Sequence, residues 1–444
     1  MSQPTPATVV TIEQHRAVIC GAPVSAYTGW QHPFVTPLTL GRLAVHCRRA
    51  AYDEGWLDAQ GGFFSLSRDS LQRRVVTIKK KNQAPDVEEG VTEPTTAPSP
   101  SQFSTVFVVA VEGIVNPAAV GVPIRNHVIS RVEVFVSAIG NSSFGLGACL
   151  YAIGTDADRG SSSRADAKEL YLGSVQLSYV HIDFNTRRPQ PLPPTKRDGL
   201  TQSFSPEQAD KVPKISRLNP ASLYAEVVDK KSRPSKELFH QQVFALRPSD
   251  FDFNLHMNQS LYHVFALDAL KGAIVKWLVQ KLPKYRPNNA VQTTADSGDD
   301  VNHHTHDDEV PPLLERAVLS YLVGVLFGKD AVSGNTTTVE EASIALAEDP
   351  TTLSSLEQAV LQADSLVSAV RLDFVKEIRM LRSSDVSSDG DDESLLTLQS
   401  AAVVVTMIAP QHSTADSVTL AFCVCTAGSI INACGIITLG AHSS

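Results

Sequence analysis

The sequence of 444 residues predicts an α+β protein in which one order of elements occurs twice, a strand, a long helix and several antiparallel strands. Three observations lead to this prediction. Each half of the chain shows a strand, then a long stretch with helical periodicity, then several strand-like runs. A proline-rich, locally basic linker at residues 189–235 separates the halves. Hydrophobic residues make up 43% of the chain and charged residues 19%, which suits a sizeable core.

The first half, residues 1–188, opens with a strand predicted over residues 8–20. A helix over residues 38–52 follows, which Thr36 or Thr39 can cap. Its apolar residues recur at helical spacing: Leu40, Leu43, Ala44, Cys47 and Ala51. Further strands are predicted at residues 75–78, 105–115, 128–138, 145–153 and 170–183, with polar loops at residues 82–104 and 156–166.

The second half, residues 236–444, repeats this order. A strand at residues 238–246 precedes a helix from about residue 258 to 278. Strands are predicted at residues 369–381, 395–408, 418–425 and 435–439. An insertion at about residues 283–364, acidic in its first part, separates this helix from the next strand.

A short polar turn before the second helix carries Asp252, Asn254 and His256, and Asn258 can cap the helix that follows. A helix N-terminus presents unpaired N–H groups and partial positive charge, which can hold a developing oxyanion. A carboxylate beside it can attack or activate water, while an amide and an imidazole orient the substrate. Ordinary turn and cap residues explain the same spacing, so the pattern alone leaves both interpretations open.

This turn resembles the signature of the acyl-ACP thioesterases and related hotdog-fold thioesterases, Asp-x-Asn-x-His-x-Asn followed by Tyr. In this sequence those positions are Asp252, Asn254, His256, Asn258 and Tyr262. The family also carries a Glu on the next long strand, in a Leu-acid-aromatic-x-x-Glu setting. The sequence LDFVKE, which ends at Glu377, matches that setting.

The resemblance implies a tandem, or double, hotdog, in which each half is a curled antiparallel sheet wrapped around a central helix. It implies that the first half is non-catalytic, because residues 28–37 lack the Asp-x-Asn-x-His pattern. It implies catalytic roles for Asp252, Asn254, His256 and Glu377, with Asn258 and Tyr262 at the substrate or oxyanion. Either carboxylate can be the base or nucleophile. Many plant members carry a Cys after the Glu, but this chain has Ile378, so no thiol serves there.

The implied function is hydrolysis of a fatty acyl thioester, carried on acyl carrier protein or CoA, to a free fatty acid. No metal and no organic cofactor are implied. One alternative is another hotdog activity such as an enoyl-thioester hydratase, although those relatives space Asp and His differently. A second alternative is a catalytically inactive acyl-binding or scaffold protein that uses the acidic insertion as its partner site.

Composition limits the remaining classes. A net charge of −9 does not favour generic nucleic-acid binding. Six scattered cysteines indicate reduced core thiols. The N-terminus lacks a signal-peptide pattern. Residues 418–440 fit two core strands joined by a turn at residues 428–432 better than a membrane span. We therefore expect a cytoplasmic protein, with organelle import open. The sequence is compatible with a monomer whose two hotdogs form a pseudo-dimer, and also with a homodimer. The basic linker either steers acidic acyl carrier protein or only aids solubility.

Overall fold

The structure, a computed structural model, describes residues 8–27, 34–57, 104–120, 128–153, 169–183, 186, 188–212, 214–221, 238–251, 256–281, 367–376, 378, 380–382, 396–398, 402–413, 417–426 and 430–440. The chain divides into two compact units. The first comprises Met1–Tyr27, Gly41–Ala110 and Asn126–Pro213. The second comprises Thr28–Leu40, Val111–Arg125 and Lys214–Ser444. The predicted strand 75–78, the loop at 156–166 and the insertion at 283–364 lie outside the described residues.

The first unit is an antiparallel sheet with one long helix. Its strands in chain order are β1 (Val9–Ile12), β2 (Arg16–Pro23), β3 (Ser104–Val115, up to Ala110 in this unit), β4 (Ile129–Ile139), β5 (Ser143–Ile153) and β6 (Glu169–Asp183). Their order across the sheet is β1-β2-β4-β5-β6-β3. Helix α1 (Pro37–Asp53) belongs to this unit from Gly41 onward.

Helix α1 confirms the helix predicted at residues 38–52. All five residues of its predicted apolar face are buried. Thr36 is the cap, because its Oγ1 accepts a hydrogen bond of 3.1 Å from the Thr39 N–H. The buried face explains the helix, since packing of an apolar stripe supplies most helical stability in a folded protein.

The opening strand differs from the prediction. Residues 8–20 were expected to form one strand, but the chain turns at Glu13–His15 and forms the antiparallel pair β1 and β2, with Val9 opposite Cys20. The turn is closed by a backbone hydrogen bond of 2.8 Å from Glu13 N to Arg16 O and by an ion pair between the same two side chains. A turn built on one charged pair carries no Gly, Pro or Asn signal, which is why the sequence pattern missed it.

Two short helices lie within the stretch assigned to the linker, α2 (Pro194–Ser203) and α3 (Pro206–Ala209). Each begins with a proline, the residue whose fixed φ and missing N–H suit the first helical position. Leu192, Leu200 and Val212 are buried. This part of the stretch therefore packs into the first unit, which its proline-rich, polar composition did not predict.

The second unit contains five antiparallel strands that neighbour one another in a sheet, and the longest described helix. Its elements in chain order are β7 (Leu238–Ala245), α4 (Gln259–Lys281), β8 (Val367–Phe374), β9 (Met380–Arg382), β10 (Leu396–Leu398), β11 (Ala402–Ser413), β12 (Ser417–Thr426) and β13 (Ile430–Gly440). The sheet order is β8-β13-β12-β11-β7, with every neighbouring pair antiparallel. Strands β9 and β10 form a separate two-stranded sheet.

Helix α4 supplies one side of the second unit's core. Its buried apolar residues pack with buried residues of the four strands β8, β11, β12 and β13: Tyr262, Phe265, Ala266, Leu267, Ala269, Leu270, Ala273 and Ile274. A helix that covers the apolar face of an antiparallel sheet is an α+β arrangement. The predicted helix at 258–278 and the strand at 238–246 are confirmed.

Two predicted strands of this half are each divided in the structure. Residues 369–381 form β8 and β9, and residues 395–408 form β10 and the start of β11. The turn predicted at 428–432 is shorter than expected, because β13 already begins at Ile430.

All six cysteines are free, and five of them are buried. Across the described ranges, no helix is both long and apolar enough to cross a membrane.

Candidate active site

The polar turn before α4 is held closed at its two ends. Phe251 and Met257 form an antiparallel bridge, and the N–H of Asn258 donates a 2.9 Å hydrogen bond to the carbonyl of Asp250. Asp250 in turn accepts a 2.7 Å hydrogen bond from the Arg247 N–H through Oδ2. The chain therefore enters and leaves the motif turn at one place, directly before the helix.

Asn258 caps helix α4, as its sequence position predicts. Its Oδ1 accepts hydrogen bonds of 3.0 Å from the N–H and from the hydroxyl of Ser260, and its carbonyl accepts one of 3.0 Å from the Leu261 N–H. The side chain of Asn258 is exposed. The N-terminal end of α4, with its partial positive charge, therefore begins at the end of the motif turn.

Strand β8 carries the second motif, and its residues alternate between two faces. Leu372 and Phe374 pack with the core that contains α4, while Asp373 points to the other face of the sheet. The ring of Tyr262 on α4 meets the ring of Phe374 edge to face, with 5.4 Å between centroids. Tyr262 is buried, so its ring is a core side chain; contact of its hydroxyl with substrate stays a prediction.

One backbone hydrogen bond joins the two motifs. The N–H of Met257 donates to the carbonyl of Ile378 over 2.9 Å. His256 is the residue before Met257, and Glu377 is the residue before Ile378. Ile378 is 1% exposed and packs in the same core as Met257. Two segments 121 positions apart in the sequence thus meet next to two of the predicted catalytic residues.

Asn432 is a site residue that the sequence interpretation missed. Its carbonyl accepts hydrogen bonds of 2.8 Å from Val375 N and 3.0 Å from Lys376 N. Its side-chain Nδ2 donates a 3.2 Å hydrogen bond to the Lys376 carbonyl, and its Oδ1 accepts one of 2.9 Å from Thr426 N. The sequence signal is a single amide near the start of the apolar run IINACGII, where the pattern predicts a turn at residues 428–432 and a strand at residues 435–439.

A buried charge cluster fixes the opposite face of β8. Arg371 donates to Asp373 through Nε and Nη2 over 2.8 and 3.0 Å, and lies 2.9 Å from a Glu112 carboxylate oxygen. The peptide of Ile215 is held between them, with its N–H donating to Glu112 over 3.1 Å and its carbonyl accepting from Arg371 over 2.6 Å. Burial raises the pKa of the Glu112 carboxyl.

The two bonds from Arg371 make Asp373, the acid of the LDFVKE motif, a member of a structural ion pair.

The predicted site residues divide into two groups. Asp252, Asn254 and Glu377 lie outside the described residues. His256 is half-buried, Asn258 is exposed and Tyr262 is buried. The structure thus brings together the flanks of the predicted constellation. Within the described part of the chain, no group of three or more His, Cys, Asp or Glu side chains is arranged to hold a metal.

No protein-family model matches the chain, and no curated protein matches it by sequence. Solved structures do match. One is described as an oleoyl thioesterase from Lactobacillus plantarum, at 11% identity, with 97% of this chain and 97% of that chain covered and a TM-score of 0.44. The 12:0-ACP thioesterase from Umbellularia californica matches at 12% identity, with 96% and 98% covered and a TM-score of 0.43.

An acyl-ACP thioesterase from Bacteroides thetaiotaomicron matches at 10% identity, with 95% of this chain and 97% of that chain covered and a TM-score of 0.37. Each of the three matches extends over nearly the whole of both chains.

Proposed function

We propose that this protein hydrolyses fatty acyl thioesters, releasing a free fatty acid and the thiol of acyl carrier protein or CoA. Asp252, Asn254, His256 and Glu377 are the proposed catalytic residues, and Asn258 and Tyr262 the proposed substrate and oxyanion residues. We further propose a double hotdog, with α1 and α4 as the two central helices. The first unit and the second each hold a long helix and an antiparallel sheet, which supports this arrangement.

The observation that carries the proposal is the hydrogen bond from Met257 N to Ile378 O. The turn motif and the strand motif were selected from the sequence for their separate likeness to one catalytic constellation. The alternative interpretation, in which the two motifs are unrelated turn and cap residues, does not predict that they meet in the fold. In the fold, the segments that carry His256 and Glu377 are hydrogen-bonded at the adjacent residues.

The proposed chemistry uses the N-terminus of α4. The thioester carbonyl lies at this end, where N–H groups and partial positive charge stabilise the oxyanion formed on attack. A carboxylate, Asp252 or Glu377, activates water or attacks the carbonyl carbon, and His256 and Asn254 orient the reacting groups. When water attacks, the C–S bond breaks, the carrier leaves as a thiol after protonation, and the free fatty acid is released. When the carboxylate attacks, the carrier leaves in the same way and the acyl group stays on that carboxylate as an anhydride, which water then hydrolyses to the free fatty acid.

The carrier can be tested through the basic residues of the linker stretch. Arg197 and Lys211 are exposed in the first unit, and both can attract an acidic carrier protein. Burial lowers the pKa of Lys196, so this lysine is unsuited to charge reversal. We therefore expect Arg197→Glu with Lys211→Glu to raise the KM for acyl-ACP at low salt and to leave the KM for acyl-CoA unchanged. Equal KM values for acyl-ACP in both proteins would remove carrier steering from the proposal.

The decisive experiment measures thiol release from acyl-ACP and acyl-CoA substrates with chains from two to eighteen carbons. The variants are Asp252→Asn, His256→Gln and Glu377→Gln, which remove the reactive groups and nearly conserve volume. We expect hydrolysis by the wild-type protein and a loss of about 100-fold or more in each variant, the usual cost of removing a positioned catalytic group.

Glu207→Gln is the matched control, because Glu207 is an exposed carboxylate on α3 in the first unit. We expect its activity to equal that of the wild type. If the folded wild-type protein releases no thiol from any substrate, the proposal is wrong. Tight binding of an acyl chain without hydrolysis would then identify the acyl-binding alternative.

A further inference from the structure

Strand β13 contains a bulge at Asn432. Along the β12–β13 ladder, Val424 lies opposite Ala433 and Cys425 lies opposite Ile431, so no β12 residue lies directly opposite Asn432. The ladder between β13 and β8 ends nearby, where Ala433 lies opposite Phe374. Bulges bend a strand and redirect groups locally, and they are frequent beside active sites.

The bulge turns Asn432 toward the segment that follows β8. Its carbonyl accepts two hydrogen bonds, of 2.8 Å from Val375 N and 3.0 Å from Lys376 N. Its Nδ2 donates to the Lys376 carbonyl over 3.2 Å. One residue thus holds both the N–H and the C=O of Lys376, the residue immediately before Glu377.

The side chain of Asn432 also forms a hydrogen bond to the neighbouring strand β12. Its Oδ1 accepts a 2.9 Å hydrogen bond from the N–H of Thr426 on β12. Asn432 is 3% exposed, so all these bonds form in a site with little competition from water. The two side-chain bonds need one acceptor and one donor, which the Asn amide provides and which Ala or an ionised Asp does not.

We propose that Asn432 is a positioning residue for the proposed catalytic Glu377, acting through the main chain of Lys376, which it anchors. Glu377 follows Lys376, which Asn432 holds, and precedes Ile378, whose carbonyl accepts from Met257. The residue is therefore bracketed by one anchored neighbour on each side. This inference rests on the proposed function, because it assigns Asn432 a role through a proposed catalytic carboxylate.

The test is a double-mutant cycle between Asn432 and Glu377, with kcat and KM measured for the best substrate of the wild type. Asn432→Ala is expected to lower kcat by about 10- to 100-fold with little change in KM, since a displacement of about 1 Å of a catalytic group costs this much. In the Glu377→Gln background, Asn432→Ala is expected to have no further effect. A purely structural role would lower activity in both backgrounds.

Asn432→Asp separates the two side-chain bonds. It keeps the acceptor for Thr426 N, but the ionised carboxylate has no proton to donate to the Lys376 carbonyl. We expect the ratio of its kcat to that of the wild type to rise as the pH falls, because the protonated acid regains a donor. Burial favours that protonated form.

Thr438→Val is the matched control on the same strand. It removes one side-chain hydrogen bond, of 3.1 Å between Thr438 and Thr419, at the other end of β13. We expect an unchanged kcat. Active wild-type protein with an unchanged kcat in Asn432→Ala, or an equal loss in Thr438→Val, overturns the positioning role and leaves the proposed function standing. Wild-type protein that hydrolyses no thioester overturns both.

Discussion

Tyr262 and Phe374 pack edge to face, with 5.4 Å between their ring centroids and 74° between their ring planes. Tyr262 belongs to the motif that opens α4, and Phe374 belongs to the motif at the end of β8. The two motifs are therefore joined twice, through these side chains and through the backbone bond between Met257 and Ile378. Packing in the core and geometry at the site depend on the same pair of segments.

Substitutions of Tyr262 separate packing from substrate contact. Tyr262→Ala is expected to lower the free energy of unfolding by about 3–5 kcal/mol, because it removes a buried aromatic ring. Tyr262→Phe keeps the ring and is expected to stay within about 1 kcal/mol of the wild type. Urea denaturation measures both. A fall in kcat/KM for Tyr262→Phe at this nearly unchanged stability assigns the substrate contact to the hydroxyl, and an unchanged kcat/KM removes that role.

Arg371→Met is expected to lower the free energy of unfolding by about 3–5 kcal/mol, because it removes the buried cation that pairs with Glu112 and Asp373 and leaves Asp373 only its ion pair with the exposed Arg217. The matched control is Arg49→Met, since Arg49 pairs with Asp53 on the surface of α1, with both side chains more than half exposed. That change is expected to cost about 0.5 kcal/mol or less. Similar losses in the two variants would contradict a stabilising role for the buried cluster.

Two glycine substitutions are expected to have opposite signs. A Cβ on Gly435 would collide with the main-chain oxygen of Arg371 and with the ring of Phe422, so Gly435→Ala is expected to lower stability by about 3 kcal/mol. A Cβ on Gly41 in α1 would meet nothing within 4 Å. Gly41→Ala is therefore expected to raise stability by about 0.5–1 kcal/mol, the difference in helix propensity. Thermal unfolding of both variants checks the prediction, and a stable Gly435→Ala protein would refute it.

His240 on β7 gives the fold a dependence on pH. Burial lowers the pKa of its imidazole; the nearby Gln242 opposes this shift and the positive charge of Lys276 adds to it. In the unfolded chain His240 has its ordinary pKa of about 6.5, so near that pH it binds a proton that it does not bind in the folded chain. Stability from this residue is present above that pH and is lost as the pH falls toward the lowered folded pKa.

The variant His240→Gln cannot take up this proton. We expect its free energy of unfolding to approach or exceed that of the wild type as the pH is lowered from 8 to 5, measured by urea denaturation at each pH. Parallel curves for the two proteins would show that His240 does not titrate between the folded and unfolded states.

Periodicity alone predicted the two long helices, α1 and α4, and most strands, because each presents a repeating apolar face. Helix α4 is an example, since its apolar spacing and the Asn258 cap together indicated where it begins. The hairpin of β1 and β2 was missed because its turn depends on one Glu13–Arg16 ion pair. Nor did periodicity predict α2 and α3, whose polar residues conceal the buried Leu200.

The site was accessible to sequence reasoning only where residues are close together along the chain. The turn from Asp250 to Asn258 is such a case, since its hydrogen bonds form between near neighbours. Asn432 contacts Lys376, which is 56 positions away, so no local pattern connects the two. The acid Asp373 was part of a recognised motif, yet its ion pair with Arg371 became visible only when the strand's two faces were known.

The main chain at Ile215 is held by charged side chains on both sides, with Glu112 binding its N–H and Arg371 binding its carbonyl. Such an anchor does not read the identity of the side chain at position 215. Proline is the exception, because it has no N–H to donate. Among related sequences we therefore expect position 215 to accept any residue type except proline, while the number of residues from 214 to 217 stays constant, since one inserted residue would present a different peptide group to the two charges.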